Sequence, residues 1–474
     1  MDNGVDIKNY EIKRKELVEA NSNLLGIVMR DQEKVLDEYL SKLKQECLDT
    51  CGGKNFYRIR TLTDKNLTGS RLYKFCEKLP KGADLHVHDM ALLPFPELVK
   101  FLGTCPEFCI NADRKSFDLI EIADGEKVPE GYMRFPEAIE SGFYSYEDLM
   151  LNWTMVGAQK SGESVWDYFE HLFRKHSALS DSRTITEKYY DYAFRYYCSQ
   201  NIMHVEIHIM LTDDIDYCYE YIKKMRKAYY GVKKDYPYFT LRIIGAGVKA
   251  DNDRIETTRK CFLNTSYAQE MVKDESVAGK SSNLVIGFDL VNEEDSSLPL
   301  HKFAPMLLDM KKFYPDMKLY VHGGESLDAN NDNLIDAYLL GASRVGHGLN
   351  LYRFPDLHAR FAAAEICLEV CPISNQALGY TKDIRNHPAT EYLRSGVALA
   401  LCSDDATYME NQTLTDDFFA AIVGWNLGIG ELKQLGINSI MYSGLDNQEK
   451  FTSLRNYHKI WNKFVKDTLA EIGK

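Results

Sequence analysis

The sequence predicts an α/β protein built on a (β/α)8 barrel. Eight short runs, most of them rich in Val, Ile or Leu, recur from residue 84 onward, at 84–88, 203–210, 240–245, 284–290, 318–322, 344–346, 366–371 and 398–403. The gaps between them mostly hold amphipathic helical sequence, and strand alternating with helix is the signature of this fold. The runs are continuously apolar rather than alternating, as expected of parallel strands covered on both faces. The residues best suited to metal and proton chemistry stand at the carboxyl ends of four runs, the face on which such barrels carry their sites.

Residues 1–79 read as an N-terminal helical arm. Within it 10–50 are expected to be helical, because Leu17, Leu24, Leu25, Val28, Val35, Leu36, Leu40 and Leu43 recur at near-helical spacing until Cys51-Gly52-Gly53. Such a face fits a helix lying on the main body and equally a contact with a second copy. After the first strand the gap to 203 is too long for one helix. Its weakly periodic stretch 105–143, dotted with Pro and Gly, marks an insertion at about 100–163, and a helical region, 164–199, then leads into strand two. Helical sequence recurs at 332–341 and 357–365. The tail 447–474 is an amphipathic helix with Trp461 and Phe464 on its apolar side. The 474 residues therefore form one barrel over 80–474 with an arm and an insertion, not three domains of ~150 residues.

Composition sets outer limits. Apolar residues at 45% and charged residues at 27% exclude wholesale disorder. The net charge of −13 argues against a nucleic-acid polymer or an anionic membrane as partner. No run approaches the ~20 apolar residues of a membrane span. The first twenty residues lack the apolar core of a secretory signal, so a cytoplasmic location is expected, with secretion as the alternative. The eleven cysteines are odd in number and scattered, unlike a disulfide framework. Four sequons, at Asn66, Asn152, Asn264 and Asn411, matter only in a secreted chain.

The chemistry begins at Asp84-Leu85-His86-Val87-His88-Asp89. His86 and His88 are two apart, so on a strand both face one side and both can reach one metal ion. In Val321-His322-Gly323-Gly324-Glu325 a histidine ends strand five, two glycines permit close backbone approach to a ligand, and Glu325 can lean back over the same centre. His347 stands between glycines at the end of strand six. Asp404 and Asp405 are adjacent acids at the end of strand eight. Each has an ordinary reading alone: barrel histidines, a helix cap or a turn. Jointly they point to one centre. His86, His88, His322 and Asp404 supply three imidazoles and a carboxylate, which suits a single Zn²⁺ with a position left for water. Zinc would bring the pKa of that water toward ~7. His347 can serve as base beside it, Glu325 as proton donor, and Asp405 as acceptor for a substrate hydrogen-bond donor. The reaction class is metal-assisted hydrolysis or deamination.

At these motifs the chain resembles adenosine deaminases, most of all the adenosine deaminase growth factor branch, the adenosine deaminase 2-like group. The resembling segments are Pro80-Lys81-Gly82-Ala83-Asp84-Leu85-His86-Val87-His88-Asp89, Gly287-Phe288-Asp289-Leu290-Val291, His322-Gly323-Gly324-Glu325, Arg344-Val345-Gly346-His347-Gly348, Glu369-Val370-Cys371-Pro372-Ile373-Ser374-Asn375-Gln376, Arg385-Asn386-His387-Pro388 and Ser403-Asp404-Asp405, in family order. The resemblance implies hydrolytic deamination of adenosine or 2′-deoxyadenosine to the inosine product and ammonia. It implies zinc on His86, His88, His322 and Asp404, proton donation from Glu325 to purine N1, attack at C6 assisted by His347, and Asp405 at N7. Asp89 would contact the ribose, Trp166 would cover the substrate, and Glu147 is a further ribose candidate. Homodimerisation would run through the N-terminal helices. The chain departs from the family at Gly323 and Ser326, at Asn292 where the family has glycine beside purine N3, and after strand three, where Gly245-Ala246-Gly247-Val248-Lys249 lacks a histidine found near the substrate in that branch. Two other readings stand beside this one: a deaminase of another 6-aminopurine nucleoside, such as a 5′-modified adenosine, and a growth-factor-like binding protein on the same scaffold.

Overall fold

Eight parallel strands follow one another around an axis: β1 Gly82–His88, β2 Ile202–Met210, β3 Thr240–Val248, β4 Val285–Val291, β5 Lys318–Gly323, β6 Arg344–His347, β7 Cys367–Val370 and β8 Leu399–Leu401. Each pairs with the next in sequence order. Closure runs from β8 back to β1 through a bridge between Val87 and Asp404, where the Asp404 N–H donates to the His86 carbonyl at 2.9 Å. The architecture is that of a TIM-like barrel, closed except for a weak seam. These facts come from a computed structural model that describes residues 7–22, 26–50, 65–123, 125–182, 184–212, 214–250, 254–277, 279–409 and 411–474.

The strands match the apolar runs because both faces are buried. Leu85, Val87, Val205, Ile207, Leu241, Leu290, Val345, Leu368 and Leu399 are all inaccessible to solvent. The C-terminal helix Asn447–Glu471 buries Trp461 and Phe464, on the side the sequence indicates. Asn264 and Asn411, two of the four sequon residues, are buried, and their amide nitrogens donate to the Leu211 and Ser403 carbonyls. Among the described residues no helix is long and apolar enough to cross a membrane.

Two local expectations are corrected. The single helix over 10–50 is two helices, Ile7–Ser22 and Asp31–Thr50, with Gly26 between them at φ +61°. The second lies on the body, burying Leu36, Leu40, Leu43 and Cys47, whereas Leu17 on the first is 64% exposed and Val28 between the two is 94% exposed. Leu24, Leu25 and Cys51-Gly52-Gly53 lie outside the described residues. Within the insertion, the weakly periodic stretch holds a three-stranded antiparallel sheet, with Phe108–Asn111 between Leu119–Glu121 and Tyr132–Arg134. Strands of three or four residues are too short to show a period.

The second helix is pinned by Glu33, whose carboxylate accepts from the Arg30 guanidinium, Lys433 Nζ and Trp461 Nε1 at 2.8–2.9 Å. Burial acts to raise its pKa, but the Arg30 and Lys433 partners outweigh burial and hold the carboxyl down at about 2. The stabilisation is therefore fully present above the unfolded carboxyl value of ~4.3 and fades as pH falls through about 2. Glu33→Gln is expected to lower stability by about 1–2 kcal/mol at pH 7, a modest loss because Arg30 is half-exposed and Lys433 partly so. Urea denaturation at pH 7 and pH 3 measures it, and the gap between variant and parent should narrow at the lower pH.

Candidate active site

The carboxyl ends of β1, β5, β6 and β8 bring the predicted residues to one place. The donor atoms of His86, His88 and His322 lie within 4.8 Å of one another. His88 Nε2 is 3.4 Å from Asp404 Oδ1, and Asp404 also groups with His86 and His347. The ring centroids of His86 and His322 are 4.4 Å apart, and those of His322 and His347 5.1 Å. Backbone shape at the centre is unusual. His347 and Asp404 both have positive φ, +63° and +57°, a conformation that non-glycine residues hold only where surroundings enforce it. Gly346 is required by crowding, since a Cβ there would stand 2.8 Å from the His86 ring.

The centre fits a divalent metal on the structure's own evidence. His86 Nδ1 lies 2.7 Å from Glu369 Oε2, which fixes the tautomer and leaves Nε2 as a lone-pair donor. That Nε2 is buried with no hydrogen-bond partner. Burial first, and the neighbouring histidines next, hold His86 well below its usual range. Burial likewise brings His88 down to about 3 and His347 to about 4, against the pull of Asp404. Neutral imidazoles are the form that binds metal. Asp404 is held below the usual carboxylate range because His347, His88 and His322 outweigh the effect of burial.

A buried ionic chain runs from this centre down the barrel. Glu369 Oε1 accepts from Arg344 Nε at 2.5 Å, Arg344 Nη2 reaches Glu206 Oε2 at 2.5 Å, and Glu206 Oε1 meets His204 Nε2 at 2.9 Å. Arg344 also donates to the Tyr442 carbonyl and stacks 4.1 Å over the Tyr320 ring. On the other flank His208 Nδ1 is 2.7 Å from Asp289 Oδ2. Asp289 Oδ1 accepts from the His322 backbone N–H at 3.0 Å, and its Oδ2 lies 2.8 Å from His322 Nδ1, off the line of a good hydrogen bond. Burial acts to raise Asp289, but His322 and His208 outweigh it and hold the carboxyl well below its usual range.

Glu325 lies beside the centre, two residues past β5. Its Oε1 accepts from Asn375 Nδ2 at 2.5 Å and is 3.4 Å from His347 Nδ1. Its backbone N–H donates to Glu294 Oε1 at 3.1 Å. Burial first, then the charges of Asp404 and Glu294, raise its pKa well above the usual carboxyl range. A carboxyl in that state keeps its proton at neutral pH and can donate it. Lys249, wholly buried after β3, donates from Nζ to the His322 carbonyl at 3.1 Å and stands 3.9 Å from Glu294, so it braces the β5 turn from below. Asp405 is buried, and its Oδ1 has no hydrogen-bond partner.

These groups form one end of a cavity of about 340 Å³. Asp89, Trp166 and Asn292 line it. Trp166, on the helix Val165–Lys175 that follows the insertion, donates from Nε1 to the Tyr380 hydroxyl at 2.8 Å, joining that helix to the segment after β7. Asn292 holds φ +102° and turns its amide to Ser297 Oγ at 3.2 Å. Glu147 does not reach the cavity: it is exposed on the helix Tyr146–Trp153. The pair Gly323-Gly324 serves packing rather than ligand approach, because a Cβ on Gly324, at φ +78°, would strike Leu334 at 2.7 Å. Sequence reading assigned no role to His208, Asp289, Glu294, Lys249, Glu369 or Asn375. One usable signal was His204-Val205-Glu206-Ile207-His208, in which three polar residues alternate on one strand and so point together into the barrel.

The family model for adenosine deaminase matches residues 241–457. Adenosine deaminase 2-A of Danio rerio is 29% identical over 96% of this chain and 94% of its own length, and adenosine deaminase 2 of Dictyostelium discoideum 27% over 87% and 77%. The chain belongs to the adenosine deaminase family. It is a deaminase of that family with a histidine cluster compatible with a metal site. Among solved structures, the N6-methyl-AMP deaminase of Arabidopsis thaliana superposes with a TM-score of 0.58 over 82% of this deaminase and 98% of that chain, at 14% identity. An amidohydrolase solved with bound Zn gives 0.54 over 84% and 95%, at 16%. At such identities these two speak for the barrel alone.

Proposed function

We propose that this deaminase converts adenosine and 2′-deoxyadenosine to inosine and 2′-deoxyinosine, consuming water and releasing ammonia. The observation that carries the reading is the meeting of three histidines, Asp404, a protonated Glu325 and an unpartnered Asp405 oxygen at one cavity. His86, His88, His322 and Asp404 would hold one Zn²⁺ per subunit. Zinc bound there supplies Lewis-acid activation of water.

The chain's own groups do the rest. Glu325 delivers its proton to purine N1, which makes C6 electrophilic. His347, neutral and 3.4 Å from Glu325, accepts the proton of the attacking water. Burial first, and the adjacent Asp404 charge next, raise the Asp405 carboxyl well above its usual range, so it keeps a proton and donates it from the partnerless Oδ1 to purine N7. Asn375 keeps Glu325 aimed, Trp166 covers the substrate, and Asp89 faces the ribose. Asn292 takes the place of a family glycine at the purine edge while retaining the positive φ that a glycine would supply.

Charge selects nucleosides over nucleotides. Besides the groups of the centre, Asp89, Glu170 and Asp181 line the cavity, and among the described residues no Lys or Arg does. A 5′-phosphate would enter facing carboxylates with no cationic side chain to meet it, and unpaired like charges cost several kcal/mol. The kcat/KM for AMP is therefore expected to fall at least about 100-fold below that for adenosine. Ammonia release across the two substrates measures it, and comparable values would remove the charge argument.

A further inference from the structure

We infer that the site also accepts adenosines that lack the 5′-hydroxyl and carry hydrogen or a short apolar group at that carbon. The inference rests on the proposed reading, in which Asp89 faces the ribose.

Deamination fixes C6 of the purine at the histidine cluster, and the sugar, attached across the ring system at N9, extends away from it. Asp89 follows β1 directly and is the carboxylate closest in the chain to the metal-ligand pair. Ordinarily a buried carboxylate that binds a substrate hydroxyl enforces that hydroxyl, because an analogue without it leaves the carboxylate unpaired. Asp89 is not in that position. The Tyr221 hydroxyl lies 2.9 and 2.8 Å from its two oxygens, and the Tyr190 hydroxyl donates to Oδ1. Tyr190 and Tyr221 are in turn 3.1 Å apart, so the two phenols and the carboxylate form a closed set. Removing a 5′-hydroxyl leaves Asp89 with both donors still in place.

The wall beside Asp89 has matching chemistry. β1 pairs with β2 and β2 with β3. At the ends of these strands, and on the helix that follows β2, the cavity is lined by Leu211, Tyr217, Cys218, Ala246 and Val248. After β3 the resembling branch carries a histidine near the substrate, and the matching stretch 245–249 has none. Leu211, Cys218 and Ala246 are buried, so an apolar substituent placed there leaves water for an apolar contact.

The test compares kcat/KM of the full chain on adenosine, 5′-deoxyadenosine and 5′-deoxy-5′-methylthioadenosine, with the same panel on Tyr221→Phe. The expected result is that 5′-deoxyadenosine and the methylthio compound stay within about tenfold of adenosine, against the ~10⁴-fold rejection typical of a site whose polar group is left unpaired. In Tyr221→Phe one donor to Asp89 is gone, a substrate hydroxyl can replace it, and the preference for adenosine over 5′-deoxyadenosine should rise at least about tenfold. A preference above about 10³ in the unaltered chain, or no change of preference in the variant, overturns the inference while leaving adenosine deamination standing. Turnover of none of the three overturns the proposed function itself.

Discussion

Glu325→Gln is expected to lose about 10²–10⁴-fold in kcat while keeping its metal content, since it removes one general acid and nothing else from the centre. The substitution preserves shape and the acceptor oxygen that takes the Asn375 hydrogen bond. What it removes is an ionisable proton. Glu325 holds that proton because burial and the charges of Asp404 and Glu294 raise its pKa well above the usual carboxyl range. The sign follows: a donor with a raised pKa stays protonated through neutrality and loses its proton only as pH rises past that value. Activity carried by Glu325 should therefore fall on the alkaline side, and the variant should lose that limb along with its rate. Steady-state kinetics over pH and metal analysis of the same preparation check both halves. Full activity in the variant would remove Glu325 from the proton path.

Glu369→Gln is expected to weaken metal binding about 10–100-fold and to destabilise the fold by about 3–5 kcal/mol. Two consequences meet in one residue because Glu369 does two things. Oε2 orients His86 through Nδ1, and Oε1 neutralises half of the Arg344 guanidinium in a wholly buried chain. A neutral amide leaves Arg344 with Glu206 as its single charged partner, and an under-paired buried cation is costly. It also withdraws negative charge from behind a metal ligand, which lowers that ligand's basicity. Chelator competition reads the first effect and urea denaturation of the metal-free protein reads the second. A variant with unaltered stability but weakened metal binding would assign Glu369 to the metal alone, and unaltered metal affinity would show that His86 needs no such support.

Much of this molecule was legible in order along the chain. The eight strands could be placed within a few residues because a strand buried on both faces must be apolar throughout, and that is a local property of sequence. The groups at the centre were legible because their spacing relative to strand ends is local too: His86 and His88 lie on one strand, and His322, His347 and Asp404 each close or follow another. The arm was misread as one helix because near-helical spacing of apolar residues runs across Gly26, where the backbone turns left-handed.

By itself, then, the sequence determined the barrel and which histidines and acids gather at the carboxyl ends of its strands, since each depends on residue type and on distance along a strand. Only the tertiary structure decided how those groups are held. The partner of His86 comes from β7, that of His322 from β4, and the residue that aims Glu325 from the helix after β7. The two tyrosines on Asp89 lie 101 and 132 residues further along the chain. Such pairings follow from barrel closure, which sets strands far apart in sequence a few ångströms apart in space, and no local pattern records which residues closure will bring together.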